Sequence, residues 1–228
     1  MIEHEQIQID KSKKINDANL EFYQNIDVGR FKEFAEIIGL KNGIDIRKIY
    51  PEVANAEVIV EIGSGYGRAI DALIRQNFSK KIYGVERVAH LVSFLKHKFA
   101  EHKNIQIIHD DVKQLFLPEK ADCILWIWSG ILELSLPEQQ ETLSKLRLQL
   151  KEGGKIILET PHKEVKFIGE KSADNYIRFE TDWGKIEAYL STYEELKMIS
   201  KEAGFKYTNR KLYSTESNLT RVFYILHA

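Results

Sequence analysis

Glu61, the glycines at 63, 65 and 67, Glu86 and the pair Asp110–Asp111 are the residues whose types and spacing suit ligand chemistry. The first of them lie together in Glu61-Ile62-Gly63-Ser64-Gly65-Tyr66-Gly67-Arg68. Glycine has no Cβ and tolerates positive φ, so such a turn lets a ligand reach the backbone. The N–H groups that open a following helix have no partner within it and face whatever occupies the turn. A dinucleotide fingerprint has glycines at the first, third and sixth places. Here the sixth place is Arg68, and Gly67 falls one place early. A carboxylate at Glu61 attracts a cation and repels a pyrophosphate. The plain alternative is a tight strand–helix turn that holds no ligand.

The elements that must position these residues follow from periodicity. Val58–Val60 is a β-branched run, the mark of a strand buried on both faces. Ala69, Ile70, Leu73 and Ile74 then share a helix face. A second strand, 81–85, ends in Glu86, 25 residues after Glu61. An acid at that place can accept two hydrogen bonds from a ribose diol. The helix after it carries Val88, Leu91, Val92, Leu95 and Phe99 on one stripe, leaving His90, His97 and His102 facing solvent. A third strand, 105–108, leads to His109, Asp110 and Asp111. His109 is a candidate base, though such a residue is more often a surface group. Asp110 can cap the following turn. The fourth strand, 121–128, is apolar on both faces and is expected at the centre of a parallel sheet. Alternation puts Trp126 and Trp128 on one face, with Trp126 packed under a helix and Trp128 at the rim of a cleft formed with Ser129 and Gly130. A helix bearing Leu143, Leu146 and Leu150 stops at Gly153-Gly154, and a fifth strand, 155–160, leads to Pro161-His162.

Ahead of the first strand, 16–51 reads as interrupted helix. Leu20, Tyr23 and Ile26 share one face; Phe31, Phe34, Ile37 and Ile38 share another. Gly39 and Gly43 mark a break, and Ile46, Ile49 and Tyr50 form a short turn before Pro51. The simplest role for Tyr23, Phe31 and Phe34 is packing. Residues 1–15 are polar and expected to be mobile. After the fifth strand, Tyr176, Arg178 and Glu180 alternate with Ile177 and Phe179, and 186–190 alternates again, which predicts an inserted hairpin. Thr192-Tyr193-Glu194-Glu195 opens a last helix, and strands over 206–213 and 221–227 close the chain.

Glu-x-Gly-x-Gly-x-Gly resembles motif I of the class I S-adenosylmethionine-dependent methyltransferases. With Glu86, Asp111, Asp122 and the Leu150-Lys151-Glu152-Gly153-Gly154 turn, the resemblance runs in order from Glu57 to the C-terminus. It implies an α/β, doubly wound, mostly parallel seven-stranded sheet with helices on both faces, an N-terminal helical cap and a hairpin insertion after the fifth strand. It divides one methyltransferase domain into a cap (1–55), a cofactor-binding half (56–160), a substrate-side insertion (161–192) and a C-terminal helix with an antiparallel strand pair (193–228). The first strand is expected centrally, beside the topological switch, and the cap often lies over the cofactor in such proteins. The implied cofactor is S-adenosylmethionine, with S-adenosylhomocysteine as product. Glu61 would meet its ammonium group, with Gly63, Ser64, Gly65 and Gly67 around its methionine end. Glu86 would meet the ribose, Asp111 the adenine amino group, and Arg87, Val112 and Trp128 the remaining contacts. Asp111 is chosen over Asp110 because it directly precedes the apolar Val112. Transfer from a sulfonium is an in-line displacement, so positioning is the protein's main task. His162, after the fifth strand at the cleft edge, is the candidate base, its alternative role being to orient the loop.

The chain has 228 residues, with 33 Lys plus Arg against 34 Asp plus Glu, a balance that leaves no electrostatic footprint for nucleic acid. The lone cysteine, Cys123, excludes a disulfide framework or a cysteine zinc cluster, and is read as a small buried hydrophobe. No metal site is expected. The absence of an apolar leader or of a run near the roughly 20 residues that span a bilayer predicts a cytoplasmic protein without membrane contact. The acceptor is expected to be an O or N nucleophile on a small molecule. Alternatives are a protein side chain, or a non-catalytic S-adenosylmethionine-binding partner protein. An NAD-dependent oxidoreductase is disfavoured by Gly67 and Arg68, and an aminopropyl transferase by the lack of adjacent acids after the fourth strand.

Overall fold

The computed structural model describes residues 15–162, 170–171, 175–181 and 184–228. The reading of 1–14, and of the Asp182-Trp183 tip between the inserted strands, lies outside the described residues. Helices α1 (15–25), α2 (Val28–Ile37) and α3 (Ile44–Val53) precede β1 (Val58–Ile62). Then come α4 (Arg68–Arg75), β2 (Lys81–Glu86), α5 (Ala89–Lys98), β3 (Ile105–His109) and β4 (Ala121–Trp126). A 3₁₀ turn (Gly130–Glu133), α6 (Leu136–Leu148) and β5 (Leu150–Pro161) follow. The insertion holds β6 (Glu170–Lys171), β7 (Tyr176–Thr181) and β8 (Gly184–Tyr189), and α7 (Tyr193–Glu202), β9 (Tyr207–Ser214) and β10 (Thr220–His227) complete the chain.

The main sheet has seven strands in the order β3-β2-β1-β4-β5-β10-β9. β1 through β5 pair in parallel and β10 enters antiparallel between β5 and β9. Strand order therefore reverses between β1 and β4, where an open α/β sheet places its ligand crevice. Alternation along the strands sorts side chains into two cores. Val58, Val60 and Ile62 pack with Ile124, Trp126, Ile156 and Leu158 on one face. Ile59 packs with Cys123, Leu125, Ile157 and Phe223 on the other. At the N-terminal edge, the Asp122 carboxylate accepts the N–H groups of Glu57 (3.0 Å) and Val58 (2.8 Å) and the Lys151 ammonium (2.7 Å), tying β1, β4 and β5 together. Burial alone would raise its pKa; Lys151 and these N–H groups outweigh that and hold it below the usual carboxylate range.

The expected hairpin is β7–β8, and β6 extends it into a second, three-stranded sheet. Three expectations are corrected. α3 runs through Pro51 to Val53, because buried Ile46, Ile49 and Val53 supply a continuous apolar stripe that outweighs the lost proline donor. Gly153-Gly154 lies inside β5: Ala121 pairs with Leu150 and Cys123 with Lys155, so the glycines form a bulge after a helix that already ended at Leu148. Ile37 is 60% exposed and does not share the buried face of Phe31. No helix among the described residues is long and apolar enough to cross a membrane.

Candidate active site

The turn after β1 is built as its glycines suggest, and each glycine has its own reason. Gly63, Gly65 and Gly67 all have positive φ (71°, 53° and 81°). A Cβ on Gly63 would meet nothing within 4 Å, so this residue borders open space. A Cβ on Gly65 would lie 2.9 Å from the Phe31 ring, and one on Gly67 would lie 2.7 Å from Phe99 and 2.9 Å from Leu95. Gly67 therefore serves the packing of α5 and lines neither pocket described below. The turn is anchored from β2: the Glu86 carboxylate accepts the N–H groups of Gly65 (2.7 Å) and Val88 (2.9 Å). Burial raises the Glu86 pKa, opposed by those N–H groups.

Two buried groups, one acidic and one basic, flank this turn with atoms that have no partner among the described residues. Glu61, at the end of β1, is 3% exposed, and its Oε2 has no hydrogen-bond partner among the described residues. Burial pushes its pKa up to about 8, against the pull of Ser64 and Arg68. Arg68, at the start of α4, clamps Asp45 of α3 through Nη1 (2.7 Å) and Nη2 (2.6 Å) and donates to the Leu40 carbonyl (3.0 Å). Its Nε is buried and has no hydrogen-bond partner among the described residues. Glu61 and Arg68 border a small pocket with Gly63, Ser64, Gly65, Phe31 and Trp128.

A larger cavity of about 280 Å³ lies beside it over the C-terminal strand ends. Ile62, Gly63, Val85 and Glu86 line it with Arg87, Asp110, Asp111 and Val112. Trp128, Ser129 and Gly130 form another wall, as expected of that loop. Phe22, Tyr23, Phe31 and Phe34 of the cap also line it, together with Ile177, Ile186 and Ala188 of the small sheet. The cap aromatics therefore border the cavity as well as packing, and α1 with the inserted sheet forms its roof. Asp110 accepts the N–H of Asp111 (2.8 Å), and Asp111 accepts that of Lys113 (2.9 Å) and sits 3.6 Å from the Arg87 guanidinium. Arg87 reaches Glu133 at 3.1 Å, and the Tyr23 hydroxyl donates to Glu133 at 2.8 Å. Burial raises the Glu133 pKa and the Arg87 charge opposes this.

Trp126 and Trp128 do not share a face. β4 stops at Trp126, and Trp128 has φ +54°, which swings its side chain across the sheet. Trp126 is 2% exposed in the core that holds Ile124, whereas Trp128 packs on Phe31 (ring centroids 5.1 Å) and Phe34 (6.1 Å). His162 is half-buried and donates its backbone N–H to the Thr220 carbonyl (3.2 Å); Pro161 and Thr220 line the cavity and His162 does not. His109 is exposed, with Nε2 3.2 Å from the Arg87 carbonyl oxygen. Sequence reasoning missed Glu159 and Arg221. Glu159, fully buried at the end of β5, accepts from Trp128 N–H, the Tyr213 hydroxyl and the Arg221 guanidinium. A charge inside each of the apolar runs Ile156–Thr160 and Thr220–His227 was the available signal.

Residues 59–154 match a protein-family profile described as "Methyltransferase domain". Over 68 residues the chain is 34% identical to a probable ribosomal RNA small subunit methyltransferase A of Methanococcoides burtonii; this covers 30% of the chain, and the chain spans about a quarter (24%) of that relative's length. Among solved structures, SAM-bound CalS10, an amino pentose methyltransferase from Micromonospora echinaspora, shares 13% identity at a TM-score of 0.63, covering 90% of this chain and 99% of that one. The glycopeptide N-methyltransferase MtfA complexed with S-adenosyl-L-homocysteine shares 12% identity (TM-score 0.64; 81% and 89% covered). A SAM-dependent methyltransferase of Leishmania major shares 15% (TM-score 0.68; 92% and 82% covered). At these identities the structural likeness establishes the fold.

Proposed function

We propose, from the class I methyltransferase fold and the match of residues 59–154 to a methyltransferase domain, that this chain binds S-adenosylmethionine and transfers the methyl group to an O or N nucleophile of a small molecule. The observation that carries this reading is the pair of unpartnered buried atoms beside the glycine turn, Glu61 Oε2 and Arg68 Nε. Unpartnered buried polar atoms are costly, so such a pair marks a place for a ligand with both charges. Glu61 accepts from an ammonium group and Arg68 donates to a carboxylate, which together fit the amino-acid end of this cofactor. Glu86, Asp110 and Asp111 offer acceptors for its ribose and adenine. The bound sulfonium supplies an already activated methyl group.

The chain's own task is to hold an acceptor in line and to exclude water. The apolar roof of Phe22, Ile177, Ile186 and Ala188 suits a small, largely apolar acceptor. CalS10 and MtfA act, by their names, on an amino pentose and a glycopeptide, which supports an acceptor that is not a nucleic acid but is more polar than this roof alone suggests. The near balance of charge gives no overall basic footprint for RNA, although one relative is, by its name, a ribosomal RNA methyltransferase. For an acceptor that retains its proton, His162 is the base in this reading; it follows the cavity-lining Pro161 and would have to turn inward to reach the acceptor. His162→Ala would then lower kcat roughly a hundredfold or more; a loss under about tenfold assigns that role elsewhere.

Calorimetry with S-adenosylhomocysteine tests the cofactor. Binding is expected for the wild type, with loss in Gly63→Arg, whose side chain would enter the open space beside the turn, and weakening in Glu86→Ala. No binding, or binding of NAD alone, overturns the reading. Radiolabelled methyl transfer to panels of small amines, alcohols and peptides then separates a small acceptor from a protein side chain.

A further inference from the structure

Trp128 and Ser129 are consecutive non-glycine residues in the left-handed region, with φ of 54° and 68°. A residue with a Cβ adopts that region only where its surroundings force it to, and such outliers gather at ligand-binding sites. Glu159 and Arg221 supply the force. Glu159 Oε2 accepts the Trp128 N–H (2.8 Å), and the Glu159 carbonyl accepts the Ser129 N–H (2.8 Å). Arg221 Nη2 donates to Ser129 Oγ (2.8 Å) and to Glu159 Oε2 (3.0 Å), its Nε donates to Glu159 Oε1, and the Tyr213 hydroxyl donates to the same oxygen (2.7 Å). A buried ion pair is weak evidence of stability, since an apolar replacement is often as stable. Its product here is the path of the chain. Trp128 and Ile127 line both the small pocket and the main cavity. The Trp128 ring touches Phe31 and lies 5.3 Å from the Arg68 guanidinium carbon.

We propose that Glu159 and Arg221 are positioning residues: they hold the strained Trp128–Ser129 turn as the wall between the two pockets, and through Trp128 they set the placement of Arg68 and Phe31 and thus the affinity for the adenosyl ligand. This rests on the cofactor reading above. Glu159 and Arg221 are themselves buried and charged, so Glu159→Gln is expected to lose stability as well as affinity. Ser129 gives the decisive variants. Glycine adopts the left-handed region freely, so Ser129→Gly should unfold at the wild-type temperature or higher. Without the hydroxyl that Arg221 holds, it should bind S-adenosylhomocysteine about tenfold more weakly, a change of about 1.4 kcal/mol. Ser129→Asn tolerates the same region and returns a side-chain oxygen for Arg221, and should bind more tightly than Ser129→Gly. Calorimetry with S-adenosylhomocysteine and thermal unfolding on the three proteins read both quantities. Wild-type affinity in Ser129→Gly overturns the proposal while leaving the cofactor reading intact. No binding by the wild type overturns both.

Discussion

Glu61 couples ligand chemistry to pH. Burial holds its pKa near 8, against about 4.3 for an ordinary glutamate. The folded protein therefore keeps a proton that the unfolded chain releases. The corresponding stability is complete below the ordinary value and is lost as pH rises towards 8. Glu61→Gln removes this titration, and should unfold at a higher temperature than wild type at pH 7.5 in scanning calorimetry while binding S-adenosylhomocysteine more weakly. An incoming ammonium favours the charged carboxylate, so binding at pH 7 should release a proton. Titration calorimetry in two buffers of different ionisation enthalpy reads that release, and equal heats would contradict it. Asp45 is a fully buried carboxylate clamped by Arg68 at 2.6–2.7 Å. Asp45→Asn leaves a buried guanidinium without its counter-charge, and is expected to cost about 3–5 kcal/mol in urea unfolding.

The roof of the cavity is assembled from two elements far apart in the chain. Asn19 of α1 donates to the Glu187 carbonyl of β8 (2.8 Å) and accepts the Glu187 N–H (2.9 Å), as a fourth strand would. Phe22 packs against Gly184, where an added Cβ would lie 3.3 Å from it. Asn19→Ala breaks both bonds, leaving the Glu187 N–H without its partner, at a cost of about 1–3 kcal/mol. Hydrogen exchange should show faster exchange at the Glu187 amide, with α4 and α5 unchanged. Equal protection would mean that Phe22 packing alone holds the roof. Helices α4 and α5 were legible because their stripes repeat every three to four residues. The β4–Trp128 junction was not: alternation holds only while the strand lasts, and what ends it is Glu159, contributed from β5.

At the scale of the molecule, the sheet was readable wherever strand pairing is dictated by crossover helices and apolar runs, from β1 to β5. The antiparallel close by β10 followed from the resemblance. What the chain did not disclose was which distant charges meet. Glu159 with Arg221, and Asp45 with Arg68, are separated by 62 and 23 positions, and no local pattern pairs them. The candidate site divided in the same way. Glu61, Gly63, Gly65 and Glu86 come from one βαβ unit and gather around the turn as their order suggests. Tyr23, Glu133 and Arg221 arrive from the cap, the 3₁₀ turn and the last strand.

Cys123 lies in β4, 1% exposed, with its thiol pKa pushed up to about 12 by burial. Thiol reagents attack the thiolate, so the folded chain should be inert to maleimide at neutral pH, and label would enter only when the central strands part. With a single cysteine in the chain, labelling rate becomes a built-in clock for opening of the sheet. Slowing of that clock by an added compound would then report a ligand for this protein without any assay of its chemistry.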